Sequence, residues 1–526
     1  MTITLLHYDH DRIVASLVSA ALVRSFSRAQ VNSASFDSVG AENDSDIYVV
    51  INPLDVELAL LQSLASQGRK IIVFGKLGVE LGAELGIAVD ELGDRQSGWG
   101  EIRPSLDSTF TASQATVLYN DHLLTAQLGL RHRSLGRYDF TDEWNTLGFG
   151  CITLNQGPWS LCQQARITHA ISVAEVVDGQ ENFASTYVAI ADAADSSVLW
   201  FNRQVGPIDS LEWTVIETFC SDYRADELVC IPYIAEVPGG YRSAVTMRLD
   251  CDQAIATARP LFELYQDMGM PLSLAVVTEL PPQRQDIDFL RQVIAHGGSV
   301  VSHSCTHPPN WGPDYTAAFH EAKHSKQWLE EHLPEAAPIH YAVSPFHQNP
   351  PYAVNALADA GYLGFVGGII HNDPEYLMGR SGQVPLCDKP LISHSQQCML
   401  HGDCFHQYGN SVQPYCESFK YHLQAGALFG YLDHPFSSTY QYGWDSEAER
   451  LAAHAEFLGF IQSHDNLWFP NLVECLEFVR ARSLVQVKVD DHQRLKLWHL
   501  PGGAFSTSIP PLQINWRGEK TPFLIE

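Results

Sequence analysis

The chain has 526 residues, which is too long for one ordinary domain, so two or three domains are expected. Its composition, 45% hydrophobic and 18% charged residues, is typical of a globular protein rather than a disordered one. A formal net charge of −29 repels nucleic-acid phosphates and anionic membranes, which argues against both as general partners.

The amino-terminal stretch MTITLLHYDHDRIV has no basic segment followed by a long apolar one, so no secretory signal is predicted. No stretch approaches the roughly 18 apolar residues of a membrane span. The 11 cysteines are irregularly spaced and all follow residue 150, which is typical of a reducing compartment. We therefore expect a cytoplasmic protein with no membrane span. The sequence predicts no oligomeric state.

The first 100 residues alternate between apolar strands and helices. Strands are predicted at 3–9, 45–53 and 70–75, and helices at 11–26 and 56–69. This alternation is typical of a doubly wound α/β layer, a parallel sheet covered on both faces. The segment has no phosphate-binding glycine motif and no cysteine, which favours a structural or docking role over nucleotide binding or amidotransfer. Its similarity to amidotransferase-like or flavodoxin-like sheets concerns the fold alone.

Short β-branched and aromatic runs follow, up to about residue 235. They predict strands at 115–120, 151–156, 165–177, 185–193 and 196–205. We expect a β-rich extension of the first domain, which would then occupy residues 1–235. The sequence EVPGGY at 236–241 is predicted to be a linker, because Pro and Gly-Gly interrupt regular structure.

Strands and helices alternate again between residues 236 and 480. Strands are predicted at 243–252, 271–278, 299–304, 339–345, 363–369, 427–435 and 466–470, with helices between them. Six or seven such units predict a (β/α) barrel, complete or one unit short. The remainder, residues 481–526, begins with a predicted β-hairpin at 485–500.

Polar residues follow three of the predicted barrel strands. Asp250 and Asp252 end the first strand, His303 and His307 follow the third, and His434 follows a late one. In such a barrel the active site lies at the carboxyl ends of the strands, so these side chains are expected to converge. Singly, each histidine is more often an ordinary turn or core residue.

Together the five residues form the ligand and acid–base set of a hydrolytic metal site. Two imidazoles and one carboxylate leave open positions on a bound ion. A second carboxylate can serve as general base, and a separate histidine can serve as general acid. The pattern therefore predicts metal-dependent hydrolysis.

Three ordered motifs resemble those of the polysaccharide deacetylase family, carbohydrate esterase family 4. They are LDCD at 249–252, HSCTH at 303–307 and LDH at 432–434. The resemblance covers about 240 residues and implies a deacetylase-type distorted (β/α) barrel. It further implies removal of acetyl groups from an N-acetylated carbohydrate, with O-acetylated substrates as the less favoured option.

The resemblance also implies a role for each residue. Asp250 would be the general base and His434 the general acid. A divalent metal ion, for which zinc is expected, would bind Asp252, His303 and His307. Leu432 would line the pocket for the acetyl methyl group, and the backbone N–H near Phe346 would help to hold the oxyanion.

Two positions differ from the family pattern. Cys251 separates the two aspartates, which are adjacent in the family motif. Val343 stands where the family has an arginine that pairs with the base and keeps its pKa low. Arg380 and Lys389 lie in the following loop, but nothing in the sequence brings either of them to the site.

Three further features have alternative interpretations. The segment 387–409 is rich in cysteine and histidine, but its spacings match no familiar zinc pattern, so an irregular lid is favoured over a second zinc site. Trp311 either stacks on a sugar ring or is buried. Cys305 either ligates the metal or is a packed small residue, and the second interpretation is favoured.

The function predicted from the sequence is therefore a metal-dependent carbohydrate deacetylase, acting on C–N bonds of linear amides. A cytoplasmic acetylated saccharide is the expected substrate, with a role in surface polysaccharide synthesis as a hypothesis. One alternative is a catalytically degenerate carbohydrate-binding or scaffold protein, motivated by Val343. Another is a different metal-dependent hydrolase or a non-haem iron oxygenase, although the strand–helix alternation argues against the oxygenase.

Overall fold

The structure is a computed structural model that describes residues 1–38, 45–92, 115–126, 128, 130, 132–134, 161–178, 184–203, 211–279, 283–369, 380–384, 387, 389–396, 398–490 and 492–525. The strand expected at 151–156 lies outside these residues. The described chain is mixed α/β and contains two large sheets, which we call the first and the second sheet.

The first sheet contains nine strands. In spatial order they are Val31–Ser35, Ile3–His7, Ile47–Ile51, Lys70–Phe74, Ser197–Phe201, Ala184–Asp192, Ile171–Asp178, Ala115–Tyr119 and Arg133–Ser134. The first five are parallel and the others antiparallel. The predicted β-rich segment therefore continues the same sheet rather than forming a separate layer. Sequence reasoning missed Val31–Ser35, because VNSAS has no apolar run.

Two apolar cores cover the two faces of the first sheet. Successive side chains of a strand point to opposite faces, so Leu5 lies in one core and Leu6 in the other. Helices Arg12–Phe26 and Trp213–Ser221 cover the first face, and helix Leu58–Ser66 covers the second. The expectation of a parallel layer covered on both sides is met. A short helix, Val79–Glu84, precedes a strand pair formed by Ile87–Asp90 and Gln164–Ile167.

The second sheet carries the three motifs. Its strands in spatial order are Gly382–Gln383, Ile392–Gln396, Gly364–Ile369, Tyr341–Val343, Ser299–Ser302, Ser273–Val276, Ser243–Cys251, Leu428–Asp433 and Cys398–Met399, and Leu467–Trp468 also pairs with Ser243–Cys251. All pair in parallel except Gly382–Gln383. The helices are Arg259–Asp267, Arg284–Ala295, Tyr315–His332, Pro351–Asp359, Gly402–Gln407, Gln413–Ala425, Glu447–Gln462 and Leu472–Leu484. The predicted alternation is thus observed.

Strand pairing within the described residues is an open path rather than a closed ring. Ile392–Gln396 pairs with Gly364–Ile369 near one end of the path, and Cys398–Met399 pairs with Leu428–Asp433 at the other. Residue 397, which separates the two short strands, is not among the described residues. The pairings therefore establish a parallel sheet and leave barrel closure as an expectation.

The carboxyl-terminal residues form two hairpins. Val485–Val489 pairs with Leu495–His499, as predicted, and Leu512–Trp516 pairs with Glu519–Phe523. The second hairpin joins Tyr233–Ile234, just before the predicted linker. Residues 236–241 have no regular structure, but Glu236 is buried. No helix in the described part of the chain has the length and apolarity needed to cross a membrane.

Candidate metal centre

The three motifs meet at one edge of the second sheet. Asp250 and Asp252 lie at the carboxyl end of Ser243–Cys251, His303 follows Ser299–Ser302, and His434 follows Leu428–Asp433. These strands run parallel, so their carboxyl ends lie at the same edge. The predicted convergence is therefore present in the structure.

Asp252, His303 and His307 present three ligand atoms to one point. Asp252 Oδ1 lies 3.3 Å from His303 Nε2 and 3.5 Å from His307 Nε2, and the two nitrogens are 3.2 Å apart. A tetrahedral ion with bonds of about 2.0–2.1 Å holds its ligand atoms about 3.3–3.4 Å apart. Asp252 Oδ1 is buried and accepts no hydrogen bond. The three side chains fit a shared divalent ion.

A backbone contact selects the tautomer of His303. Its Nδ1 lies 3.0 Å from the carbonyl oxygen of Val343, which can only accept, so Nδ1 carries the proton. In the neutral ring, Nε2 then carries the lone pair, and it faces Asp252 and His307. This arrangement, with one ring nitrogen donating to a carbonyl, is the usual orientation of a metal-binding histidine.

The loop at 303–307 is held by a carboxylate from the next helix. Glu321 Oε2 accepts the backbone N–H groups of Cys305 and Thr306, both at 2.8 Å, and its Oε1 accepts the Thr306 hydroxyl at 2.7 Å. Ser304 and His307 have φ values of +68° and +55°, in the left-handed region that such residues rarely adopt. The Glu321 contacts therefore hold a strained turn that aims His307 at the metal position.

Arg248 supplies the positive charge that an arginine at position 343, where this chain has valine, would provide. Its Nε and Nη2 donate to the two oxygens of Asp250 at 2.6 and 2.9 Å, and both side chains are fully buried. The two residues lie two apart on one strand and project to the same face. Neither of the loop cations takes this role: Arg380 pairs with Glu217 and Glu236, and Lys389 with Asp359.

Neighbouring charges keep both aspartates ionised. Burial by itself raises the pKa of Asp250, but Arg248 and then His303 outweigh burial and hold that pKa well below the ordinary range. For Asp252, His303 and His434 likewise outweigh burial and lower the pKa. Burial, followed by repulsion from His303, lowers the pKa of His307 to about 4, so its ring is neutral at pH 7.

His434 contacts Asp252 and a second histidine. Its Nε2 is 3.5 Å from Asp252 Oδ2, and its Nδ1 is 2.7 Å from His401 Nε2. Burial lowers the pKa of His434 below its ordinary value, against the raising effect of the Asp252 and Asp250 charges. Because Nδ1 is bonded to His401, Nε2 is the ring nitrogen available to exchange a proton with a substrate.

His401, Asp433 and His434 form a second cluster of potential ligands. The 2.7 Å separation of the two imidazole nitrogens is a hydrogen-bond distance, shorter than the separation of two ligands of one tetrahedral ion. Asp433 is already engaged by Arg450 Nη1 at 3.2 Å and His454 Nε2 at 3.0 Å. We therefore interpret this cluster as a hydrogen-bonded support for His434.

The structure of the Cys/His-rich segment at 387–409 matches neither of the two interpretations offered for it, a second zinc site and an irregular lid. Residues 392–396 and 398–399 are strands of the second sheet and 402–407 is a helix, so the described part is regular structure rather than an irregular lid. None of the ligand clusters found in the described residues contains two of the six Cys and His side chains named for this segment, which are Cys387, His394, Cys398, His401, Cys404 and His406.

The remaining predicted residues lie near the site. The Phe346 ring is 4.6 Å from the His307 ring, and Phe346 has a φ of +50°. Leu432 is fully buried against Met399. Their roles in binding an oxyanion and an acetyl methyl group stay predictions. Trp311 is fully buried, which excludes sugar stacking in this conformation, and Cys305 belongs to no ligand cluster of the described residues.

Sequence reasoning missed four residues of the site: Arg248, His347, His401 and Tyr442. Arg248 was detectable, because strand periodicity places it on the same face as Asp250. His347 is buried, and burial, followed by the Arg248 charge, lowers its pKa well below the ordinary value. Tyr442 donates to Asp252 Oδ2 at 2.6 Å. His401 lies in the Cys/His-rich segment and was considered there only as a ligand of a second zinc ion, and Tyr442 belongs to no motif.

No family model and no curated protein matches the chain. Solved structures do. A Mycobacterium smegmatis protein described as a polysaccharide deacetylase is 15% identical to this chain. The match covers 47% of this chain and 94% of that one, with a TM-score of 0.38. Agd3, described as a novel carbohydrate deacetylase, is 12% identical, with 93% and 90% covered and a TM-score of 0.43.

A family 4 carbohydrate esterase from Streptomyces lividans is 12% identical, with 44% of this chain and 92% of that one covered and a TM-score of 0.29. At these identities and TM-scores, the function of the chain has to be argued from its own site. The solved structures that resemble this chain thus include polysaccharide deacetylases and family 4 carbohydrate esterases, as its three sequence motifs predicted.

Proposed function

We propose that the chain is a metal-dependent hydrolase that removes acetyl groups from an N-acetylated carbohydrate. The observation that carries the proposal is the metal centre itself. Three ligand atoms lie 3.2–3.5 Å from one another, an ionised carboxylate, Asp250, lies 3.9 Å from His303, and His434 lies 3.5 Å from Asp252. This arrangement supports hydrolysis of an amide or ester carbonyl.

The chain's own residues divide the proton transfers. Asp252, His303 and His307 would hold a divalent ion, for which zinc is our proposal, and the ion would supply Lewis acidity toward the acetyl carbonyl. Asp250, kept ionised by Arg248, accepts a proton from the attacking water. His434 delivers a proton from Nε2 to the departing amine nitrogen.

The pairing of Arg248 with Asp250 also bears on the degenerate-protein alternative. That alternative was motivated by the missing arginine at position 343. A guanidinium in bidentate contact with the base, 2.6 and 2.9 Å away, supplies the same charge from a different strand position. The proposal of an active enzyme therefore needs no further cation.

The choice of a carbohydrate as substrate rests on a different observation from the choice of reaction. Reaction type follows from the geometry, whereas the substrate class follows from the resemblance of LDCD, HSCTH and LDH to the deacetylase motifs. We further propose a cytoplasmic saccharide used in surface polysaccharide synthesis. Cell fractionation of the native producer and analysis of acetylation in its surface polymer test that setting.

The direct test is acetate release by the purified full chain. We expect release from N-acetylglucosamine oligomers after loading with Zn²⁺, loss of release after chelation, and recovery when Zn²⁺ is restored. Asp250→Asn and His434→Gln should each lower kcat/KM by about 10²–10⁴-fold, the usual contribution of general acid–base groups. O-acetylated xylan, assayed in parallel, separates amide from ester substrates.

The surface variant Asp288→Asn provides the matched control for loss of a carboxylate, because Asp288 is exposed on helix Arg284–Ala295 and belongs to none of the three motifs. It should retain the wild-type rate. If the chain binds Zn²⁺ and releases no acetate from either substrate, the deacetylase proposal is wrong. Retention of full activity by Asp250→Asn would refute the role of the base.

A further inference from the structure

The carboxylate of Asp252 is held by a residue that is not part of any motif. Tyr442 donates its hydroxyl to Asp252 Oδ2 at 2.6 Å, and Tyr440 adds a longer contact at 3.3 Å. A hydroxyl–carboxylate distance of this length is typical of a charge-assisted hydrogen bond. The other oxygen, Oδ1, is the one that faces His303 and His307. The tyrosine therefore determines which oxygen is left for the ion.

The ring of Tyr442 contacts the general-acid candidate at the same time. Its centroid lies 3.7 Å from that of His434, with an angle of 18° between the planes, and 4.7 Å from that of His401. Tyr440 packs edge-on against the outer side of Tyr442 at 4.0 Å. The His434 imidazole is thus stacked on one face by Tyr442, while its Nδ1 is bonded to His401.

The backbone around Tyr442 is fixed in a conformation that a bulky residue rarely adopts. Tyr442 has a φ of +49°, and Gly443 follows with a φ of +75°. The carbonyl of Tyr442 accepts the Gly402 N–H at 3.0 Å. A Cβ on Gly443 would lie 2.3 Å from the backbone nitrogen of Asp403, so only glycine fits there. The surrounding contacts thus hold Tyr442 in a strained backbone conformation, as is common at functional sites.

We propose that Tyr442 is a positioning residue with two actions: its hydroxyl orients Asp252 for metal binding, and its ring orients His434 toward the substrate. The inference rests on the proposed function for the second action only, because metal binding can be measured without turnover. A single side chain then couples the affinity for the ion to the placement of the proton donor. Hydrogen bonds to ligating carboxylates commonly have this effect on metal affinity.

The test separates the hydroxyl from the ring. Tyr442→Phe keeps the ring and removes the hydroxyl, and Tyr442→Leu removes both. In metal-free full-length protein titrated with Zn²⁺ against a chromophoric chelator, both variants should raise the Zn²⁺ dissociation constant by about 10–100-fold. At saturating Zn²⁺, Tyr442→Leu should have a kcat about tenfold below that of Tyr442→Phe, because His434 loses its stacking partner.

The control is Tyr315→Phe, which removes a hydroxyl that donates to Asp359 at 2.6 Å on the protein surface. It should bind Zn²⁺ as the wild type does. Near-ultraviolet circular dichroism of the metal-free variants verifies that each is folded. Wild-type Zn²⁺ affinity in folded Tyr442→Phe overturns the role of the hydroxyl, and equal kcat values for the two variants overturn the role of the ring.

The outcomes also separate this inference from the proposed function. If the wild type binds Zn²⁺ and deacetylates nothing while Tyr442→Phe still loses affinity, the orientation of Asp252 stands and the deacetylase proposal fails. If the wild type binds no Zn²⁺, both fail. If the wild type deacetylates and Tyr442→Phe binds Zn²⁺ normally, only the inference fails.

Discussion

Arg248 and Asp250 form an ion pair that is removed from solvent on every side. Both side chains are at most 1% exposed, and the guanidinium contacts both carboxylate oxygens. Removal of one partner from such a pair leaves an uncompensated buried charge. The pair therefore stabilises the folded state in addition to keeping the base ionised.

We expect Arg248→Met to lower the free energy of unfolding by about 3–5 kcal/mol in metal-free protein, because the Asp250 charge is left unpaired. The double variant Arg248→Met with Asp250→Asn should recover part of this loss, since it removes that charge. Urea unfolding of the wild type, both single variants and the double variant gives the coupling energy. A loss of less than about 1 kcal/mol for Arg248→Met would contradict a buried, unscreened pair.

His394 is a buried histidine away from the metal ligands. It is fully buried in strand Ile392–Gln396, and burial lowers its pKa to about 4. The unfolded state, with a pKa near 6.5, therefore binds the proton first as the pH falls. Its contribution to stability is present above about pH 6.5 and is lost progressively down to about pH 4.

We expect the stability difference between the wild type and His394→Leu to change by about 2 kcal/mol between pH 7.5 and pH 5, with the wild type losing stability more steeply. Urea unfolding at several pH values measures this difference. His492→Leu, at an exposed turn, should keep the wild-type pH dependence. Equal slopes for the wild type and His394→Leu would show that folding does not lower the pKa of His394.

At the scale of elements, helix Tyr315–His332 holds the metal-binding loop through one side chain. Glu321 accepts three hydrogen bonds from Cys305 and Thr306. His307, two residues after Cys305, is the ligand with the most exposed side chain, at 20%. The helix therefore contributes to the metal site without touching the ion position.

Glu321→Ala should weaken Zn²⁺ binding by about tenfold, because the loop then has to be ordered when the ion binds. Chelator competition on metal-free protein measures the change. Glu331→Ala lies on the same helix at an exposed position and serves as the control, with no change expected. An unaltered affinity in Glu321→Ala would mean that the φ values of Ser304 and His307 are maintained by packing alone.

At the scale of the whole molecule, a buried charge cluster joins the two sheets. Glu217, in helix Trp213–Ser221 on the first sheet, lies 3.5 Å from Arg24 and 3.1 Å from Arg380. Arg380 also pairs with Glu236 at 2.6 Å. Arg482 adds hydrogen bonds to the carbonyls of residues 234, 235 and 381. All these side chains are nearly inaccessible to solvent, so Glu236, the first residue of the predicted linker, lies in a packed interface.

Glu236→Leu should lower the free energy of unfolding by about 3–5 kcal/mol, because the Arg380 charge loses its nearest partner. We also expect one calorimetric transition for the wild type and two for Glu236→Leu, because the substitution weakens the coupling between the sheets. Glu227→Leu breaks a surface pair with Arg224 in which Glu227 is 61% exposed, and should cost less than about 1 kcal/mol. A single transition in Glu236→Leu would show that apolar contacts alone couple the sheets.

Local patterns in the sequence were enough to predict most elements and the core of the site. Continuous apolar runs predicted the strands observed at 47–51 and 299–302, and the parallel alternation of strands with helices predicted that Asp252, His303 and His307 would meet at one edge. One strand that the sequence did not predict shows why local patterns are not sufficient. Val31–Ser35 has little apolar character of its own and forms a strand because it pairs with Ile3–His7.

The sequence by itself thus indicated two regions of alternating strands and helices, and the residues that we propose as metal ligands and acid–base groups, because each depends on apolar runs or on short spacings. Only the tertiary structure decided which groups support them. His401 and Tyr442 reach His434 and Asp252 from other parts of the chain. Such pairings depend on distance, burial and direction in space, and separation along the chain does not encode these quantities.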